Sequence, residues 1–208
     1  MLTLSQVADE VRACRRCALG SLRLKAVPGE GPEDATIMFI GEAPGYHENQ
    51  QGRPFVGPAG QFLEQLLASI GLKRNQVYIA NVIKCRPPEN RDPLPEEIEA
   101  CRPFLDRQIE IIRPRLIVTL GRHSMARYFP GASISRIHGI PRREGKVSYF
   151  PMYHPAAALH QPKYRQAIEQ DMLKIPGILA DLEKAAEDGA EVVEAPPSSG
   201  DAQQLSLF

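Results

Sequence analysis

Four side chains have the types and placements to act on a small polar ligand: Glu42, Phe55, Asn81 and His154. Each lies at the end of an apolar run or in the loop that follows one. Glu42 comes directly after Thr36-Ile37-Met38-Phe39-Ile40-Gly41 and sits in a Gly/Pro turn, Gly41-Glu42-Ala43-Pro44-Gly45. A short apolar run that stops in such a turn predicts a buried strand handing over to a loop at its carboxyl end. Glycine lets the backbone approach a ligand closely, Glu42 supplies a carboxylate, and Phe55, within Gly52-Arg53-Pro54-Phe55-Val56-Gly57, supplies a flat apolar face. The combination suits something flat and polar. Asn81 falls near the end of a second run, Val77–Ile83, and His154 follows a further one, Val147–Tyr153.

The cysteines form a second group. Cys14-Arg15-Arg16-Cys17 is a C-x2-C pair, and Cys85 and Cys101 stand fifteen residues apart in the intervening count. An even number of cysteines in a chain of cytoplasmic character is weak evidence for disulfides; paired spacing points to a four-thiolate metal site. Zinc and an iron-sulfur cluster both suit four thiolates, and spacing does not choose between them. The plain alternative is four buried cysteines that only pack.

The elements that must position these residues follow from periodicity. Leu4–Ala13 predicts a short amphipathic helix with Ser5 near its start, delivering Cys14. Pro58–Ile70 carries Phe62, Leu63, Leu66, Leu67 and Ile70 at helical spacing and stops at Gly71. A proline-rich loop, Arg86–Pro93, precedes a helix over Pro95–Ile112 whose acidic first turn suits the helix dipole. Leu116–Gly121 predicts a third strand, Arg122–Phe129 a short helix, and Val147–Tyr153 a fourth strand weakened by Pro151. Gln161–Leu182 predicts a last helix, broken near Pro176-Gly177. Four strands alternating with helices imply a three-layer α/β/α fold with a mostly parallel four-stranded central sheet. All four carboxyl tips then line one edge, where ligands bind in open α/β sheets.

The chain has 208 residues, 43% hydrophobic and 24% charged, which suits one globular domain. It has no apolar run of membrane-spanning length, and Met1–Gln6 lacks a signal-peptide pattern, so a cytoplasmic monomer is expected. Net charge is zero but uneven: residues 181–201 carry seven acids and one lysine, net −6, leaving +6 on residues 1–180. That excess permits a phosphate-facing surface. The expected organisation is a domain over 1–183, an acidic Pro/Ser-rich linker over 184–203 that cannot bury enough surface to order itself, and an apolar-ended peptide over 204–208.

In order, Gly41-Glu42-Ala43-Pro44-Gly45, the Gly52–Gly57 block, Asn81 ahead of Cys85, Cys101-Arg102-Pro103 and His154-Pro155-Ala156-Ala157 resemble the iron-sulfur uracil-DNA glycosylases of the fourth family. The resemblance spans roughly Val11 to Ile175. It implies a 4Fe-4S cluster on Cys14, Cys17, Cys85 and Cys101, and excision of uracil from single- and double-stranded DNA. It implies that Gly41, Glu42, Phe55, Asn81 and His154 bind the base. Phe55 would stack on it, Asn81 would read its amide edge, and His154 would donate to the carbonyl where charge builds. Glu42 would orient water or oppose the cationic sugar.

Departures accompany the match. The better-known first family carries an aspartate one place after the Glu42 position, where this chain has Ala43. Glu48 matches an acidic position of the fourth family, but the usual acidic neighbour is Asn49. The Arg86–Glu99 loop has no histidine of the kind a related branch uses to capture the sugar, so turnover is expected. Leu159 looks like the wedge of a minor-groove loop, with Arg136, Arg142, Arg143, Lys163 and Arg165 as phosphate contacts and His138 as a DNA-facing loop residue. Gln204, Leu205, Leu207 and Phe208 resemble a bacterial sliding-clamp binding peptide. The competing reading is a non-catalytic DNA-binding module with a four-cysteine metal site.

Overall fold

A computed structural model describes residues 3–187; the expected clamp peptide and most of the expected linker lie outside them. In chain order the elements are α1 (Leu4–Ala13), α2 (Leu19–Leu22), β1 (Ile37–Gly41), α3 (Tyr46–Gln51), α4 (Pro58–Ser69), β2 (Tyr78–Asn81), α5 (Pro95–Ile112), β3 (Leu116–Leu120), α6 (Arg122–Ala126), α7 (Ile134–Ile137), β4 (Arg142–Glu144), β5 (Val147–Met152), α8 (Pro155–Ala158), α9 (Pro162–Met172) and α10 (Ile175–Glu187). α10 continues past residue 183 into the segment read as linker.

The strands pair in the order β2-β1-β3-β5-β4. All neighbours are parallel except β4 and β5. The fifth strand corrects the expected four. It was invisible to periodicity because Arg142-Arg143-Glu144 is short, charged and wholly exposed. β5 is therefore not an edge strand, yet it tolerates Pro151: β4 pairs only with Val147–Tyr149, so the missing N–H of Pro151 costs no bond on that side.

Strand alternation divides the core. Ile37 and Phe39 pack with α4 and the α9–α10 face, through Phe62, Leu66, Ile168 and Leu182. Met38 and Ile40 pack with α1 and α5, through Val7, Val11, Phe104 and Leu105. Both faces of β1 are buried, which is why it reads as a continuous apolar run. The cap of α1 is Thr3: Gln6 N–H donates to Thr3 Oγ1, and Thr3 N–H donates to Gln6 Oε1 at 2.9 Å. The break in the last helical stretch falls at Leu173-Lys174, ahead of Pro176, which occupies the first turn of α10.

Candidate active site and metal centre

Parallel register sets Gly41 beside Asn81 and Leu120 beside Met152, so the tips of β1, β2, β3 and β5 end level. They surround a cavity of about 310 Å³ lined by Glu42, Glu48, Phe55, Asn81, Arg91 and His154, among others. Four of the five expected base-binding residues, Glu42, Phe55, Asn81 and His154, line it together; the fifth, Gly41, lies against two of them.

Gly41 explains how an amide and an aromatic ring meet there. A Cβ at this position would stand 2.4 Å from Asn81 Oδ1 and 2.7 Å from Phe55 Cζ. Gly41→Ala is accordingly expected to cost about 1–3 kcal/mol of stability through overpacking and to displace the amide, read as a lowered melting temperature together with impaired base binding. Asn81 is 1% exposed, and its Oδ1 has no hydrogen-bond partner among the described residues. That leaves the oxygen to an N–H donor entering the cavity.

Phe55 is held in an unfavourable backbone state, with φ of 49°. Two devices hold it. Arg74 reaches in from the turn before β2, donating Nη1–H to Phe55 O at 2.9 Å and Nη2–H to Pro54 O. Gly60 lets the first turn of α4 lie against the Phe55 carbonyl, which a Cβ would approach to 1.9 Å. Glu48 joins the two turns flanking the cavity: Oε1 accepts from Val56 and Gly57 N–H at 2.9 Å each, and Oε2 accepts from Gly45 N–H at 3.1 Å. Removing it by Glu48→Ala leaves three N–H groups without their carboxylate. The expected loss is about 2 kcal/mol in chemical denaturation, with weakened base binding as the Phe55 turn loosens.

His154 caps α8. Ala156 N–H donates to His154 Nδ1 at 3.1 Å, so Nδ1 is the acceptor and the ring proton resides on Nε2. Burial pushes its pKa down to about 4, against a weaker opposing pull from Glu48, so the ring is neutral near pH 7. It stacks on Phe55 with ring centroids 5.6 Å apart. The neighbouring Gly121, at φ of 91°, brings the end of β3 against His154, where a Cβ would come within 3.1 Å of the His154 Cβ.

Glu42 has company that sequence reasoning missed. His123 Nε2 lies 3.8 Å from its Oε2, and Glu42, Asp92 and His123 place ligand atoms within 4.8 Å of one another. Burial raises the Glu42 carboxyl above its usual range, with Asp92 pushing the same way and His123 and Arg122 opposing. His123 belongs to α6 and Asp92 to the proline-rich loop. Nothing in the local pattern of either signals that they meet; only the strand order brings them together.

The expected DNA-facing residues are distributed unevenly. Leu159 closes α8 and is 43% exposed, and Lys163 opens α9. Arg136 is exposed on α7. Arg142 is on the edge strand β4, paired with Glu144 at 2.6 Å and lying over the Phe129 ring, and Arg143 donates to Gly145 O. Arg165 lies over Phe62 and bonds Glu169. His138, just after α7 and part-exposed, holds Nδ1 2.7 Å from Oδ2 of Asp171, which is 2% exposed, and so ties its loop to α9.

The four cysteines lie in one apolar cluster with Val11, Leu19, Ile83 and Phe104. Donors point at their sulfurs: Arg16 N–H at Cys14, Lys84 N–H at Cys101 and Arg23 Nη1–H at Cys85, the last at 2.9 Å. Burial pushes the Cys85 thiol up and that of Cys101 to about 11, so a positive centre is needed to keep thiolates here at neutral pH. The donor set fits a metal centre and is consistent with a cluster. Beside it Lys84, fully buried, donates Nζ–H to Asn81 O and Gln108 Oε1 at 2.8 Å each, bracing the backbone of the pocket asparagine from the cysteine loop.

A parallel sheet whose carboxyl tips enclose Glu42, Phe55, Asn81 and His154 defines a class, and the comparisons agree. Residues 28–174 match the family model of the uracil DNA glycosylase superfamily, to which this chain belongs. Within it the chain groups with the type-4 uracil-DNA glycosylases. It is 50% identical to that of Sulfurisphaera tokodaii, covering 84% of each chain. It is 47% identical to that of Archaeoglobus fulgidus over 84% of this chain and 92% of the relative. With that of Thermotoga maritima it shares 42% identity over 86% and 91%.

Proposed function

We propose that this chain excises uracil from DNA in base excision repair, and that the cavity at the strand tips is where it does so. The observation that carries the site is the buried, unpartnered Oδ1 of Asn81 facing the Phe55–His154 pair. Uracil offers N3–H to that oxygen and its 4-carbonyl to the Asn81 amide N–H, while cytosine turns an N3 lone pair toward the same oxygen and is rejected. Phe55 stacks on the extruded ring. As the bond between the sugar C1′ and N1 breaks, its electron pair stays with the base, and His154 Nε2–H donates to the 2-carbonyl oxygen where negative charge collects. Water adds its oxygen to C1′. Glu42, whose raised affinity for protons suits it to the task, takes up the proton that water sheds, and the base anion is finally protonated.

The cofactor we propose is a 4Fe-4S cluster on Cys14, Cys17, Cys85 and Cys101, serving as a structural tie between the N-terminal segment and the β2–α5 loop. The four cysteines gather in one apolar cluster with N–H donors directed at Cys14, Cys85 and Cys101, a donor set that suits such a cluster. The site of action proposed is the cytoplasm, as a monomer; no described helix is long and apolar enough to cross a membrane. Residues 204–208 are proposed to bind a sliding clamp. Truncation after Gly200 is expected to abolish clamp binding in a pull-down while leaving excision on short oligonucleotides unchanged.

The test is excision itself. Metal-replete protein is incubated with uracil oligonucleotides, single-stranded or paired to guanine, with cytosine and thymine controls, and abasic sites are cleaved with alkali. Cleavage at uracil alone is expected. Binding without cleavage would replace this reading with the non-catalytic module.

A further inference from the structure

A second concave surface lies on the β2 flank of the molecule, apart from the uracil cavity and from the expected DNA contacts on α7, β4 and α9. It is a cleft of about 510 Å³ whose lining includes Arg12, Arg15, Arg23, Lys25 and Arg53 and no carboxylate. One wall is the segment between the C-x2-C pair and Ala26; the other is the end of α3, Gln51 to Arg53. The walls are pinned to each other. Leu24 N–H donates to Asn49 Oδ1 at 2.9 Å, and Lys25 N–H donates to Asn49 O at 3.1 Å. Asn49, an amide, makes these bonds without adding negative charge to the cleft.

Some of the cations are engaged in internal contacts. Arg53 is paired bidentately with Glu30, Arg12 with Asp9, and Arg23 donates to Arg12 O and to Cys85 Sγ. Arg15 and Lys25 are exposed and have no carboxylate partner among the described residues. Asp9 and Glu30 thus offset two of the five cations, and the like charges of Arg15, Arg23 and Lys25 left in the concavity are relieved by an anion. Leu24, which lines the cleft, is exposed and suits a sugar face.

Topology gives the direction. β2 is one edge of the sheet and β4, beside β5, the other, with the uracil cavity at the strand tips between them. Leu159 and Lys163 follow β5; the cleft adjoins β2, where Val27 N–H bonds Lys84 O and Glu30 pairs with Ile79. We infer that this cleft holds the phosphodiester backbone of the DNA flanking the flipped nucleotide, so that the metal-bearing segment forms one side of a second DNA contact. The inference rests on the glycosylase reading for its partner. It assigns the metal centre a consequence: holding the Cys14–Ala26 wall in place.

Phosphate contacts are read by salt. Each is worth a slope of roughly 0.7–0.9 in log affinity against log salt. Binding is measured for oligonucleotides about 40 and about 10 nucleotides long that carry an uncleavable abasic analogue, using Lys25→Gln, the double variant Arg15→Gln/Lys25→Gln, and Lys146→Gln, a charge control in the β4–β5 turn. On the long DNA, Lys25→Gln is expected to lower the slope by about one contact and the double variant by about two, with the control unchanged and the short DNA little affected. Because Arg15 adjoins Cys14, metal content is checked, and if the double variant loses metal Lys25→Gln alone decides. An unchanged slope in Lys25→Gln while wild-type protein excises uracil overturns the inference and leaves the glycosylase reading standing. Reduced slopes in a protein that never excises uracil would do the reverse. Inorganic phosphate, titrated separately, distinguishes a small-anion site: Lys25-dependent phosphate binding without a change in DNA slope also overturns it.

Discussion

Asn81→Ala is expected to lower the single-turnover rate of uracil excision by about 10³-fold while leaving the fold about as stable as before. The first half follows from placement. Asn81 presents the one buried amide in the cavity, and loss of one preorganised donor to a developing anion costs on the order of 10²–10³ in rate. Loss of recognition at uracil N3–H adds to it, because a buried polar pairing discriminates far more strongly than apolar contact. The second half is the more specific claim. Asn81 Oδ1 accepts no hydrogen bond from the described residues, so alanine breaks no internal bond of that oxygen. The remaining cost is the small space left beside Gly41 and Phe55. Excision kinetics and chemical denaturation on the same preparation decide the matter: a variant that loses activity only in proportion to lost stability would mean that the amide is merely structural.

The separation of activity from stability expected at Asn81 also explains why the site was partly legible in the sequence. An asparagine in an otherwise apolar strand, Tyr78-Ile79-Ala80-Asn81, contradicts the local pattern, and such contradictions mark functional positions. Gly41-Glu42 was legible for a related reason, since it ends a run whose burial on both faces leaves an unbroken apolar signature; His154-Pro155 ends the more mixed, partly buried run of β5. α3 was not legible. Tyr-His-Glu-Asn-Gln-Gln has no apolar period, and the stretch read as a polar loop; the helix exists because Glu48 answers Gly45 N–H at one end and Gly52 closes the other in the left-handed region. Arg74, His123 and Asp92 were silent because their roles depend on contacts across the fold. Arg74 reaches the Phe55 carbonyl from the turn before β2, and His123 reaches Glu42 from α6. The basic cleft was silent for the same reason: the chain between Arg12 and Lys25 reads as scattered charge until Asn49 brings α3 against it.

His154→Ala is expected to lower excision by about 10²–10³-fold, and the pH dependence separates its role from that of a cationic donor. Ala156 N–H occupies Nδ1, which leaves Nε2–H as the donor of a neutral ring. Burial depresses the pKa to about 4, so the wild-type rate should show no titration of this residue between pH 5.5 and 8; an imidazolium donor would produce a rise in rate on acidification through about pH 6.5. The same depression acts on stability. The unfolded chain takes up the histidine proton near pH 6.5 and the folded chain only near 4, so folding loses free energy as pH falls through that window and the loss is complete below it. Denaturation curves at pH 7 and pH 5 should therefore converge toward each other in His154→Gln, which has no proton to take up, relative to wild type. Imidazole resonances followed by NMR give the pKa directly. A value near 6.5 would remove the neutral-donor assignment, and with it the argument that burial at the tip of β5 prepares this side chain to meet charge that appears only as the glycosidic bond breaks.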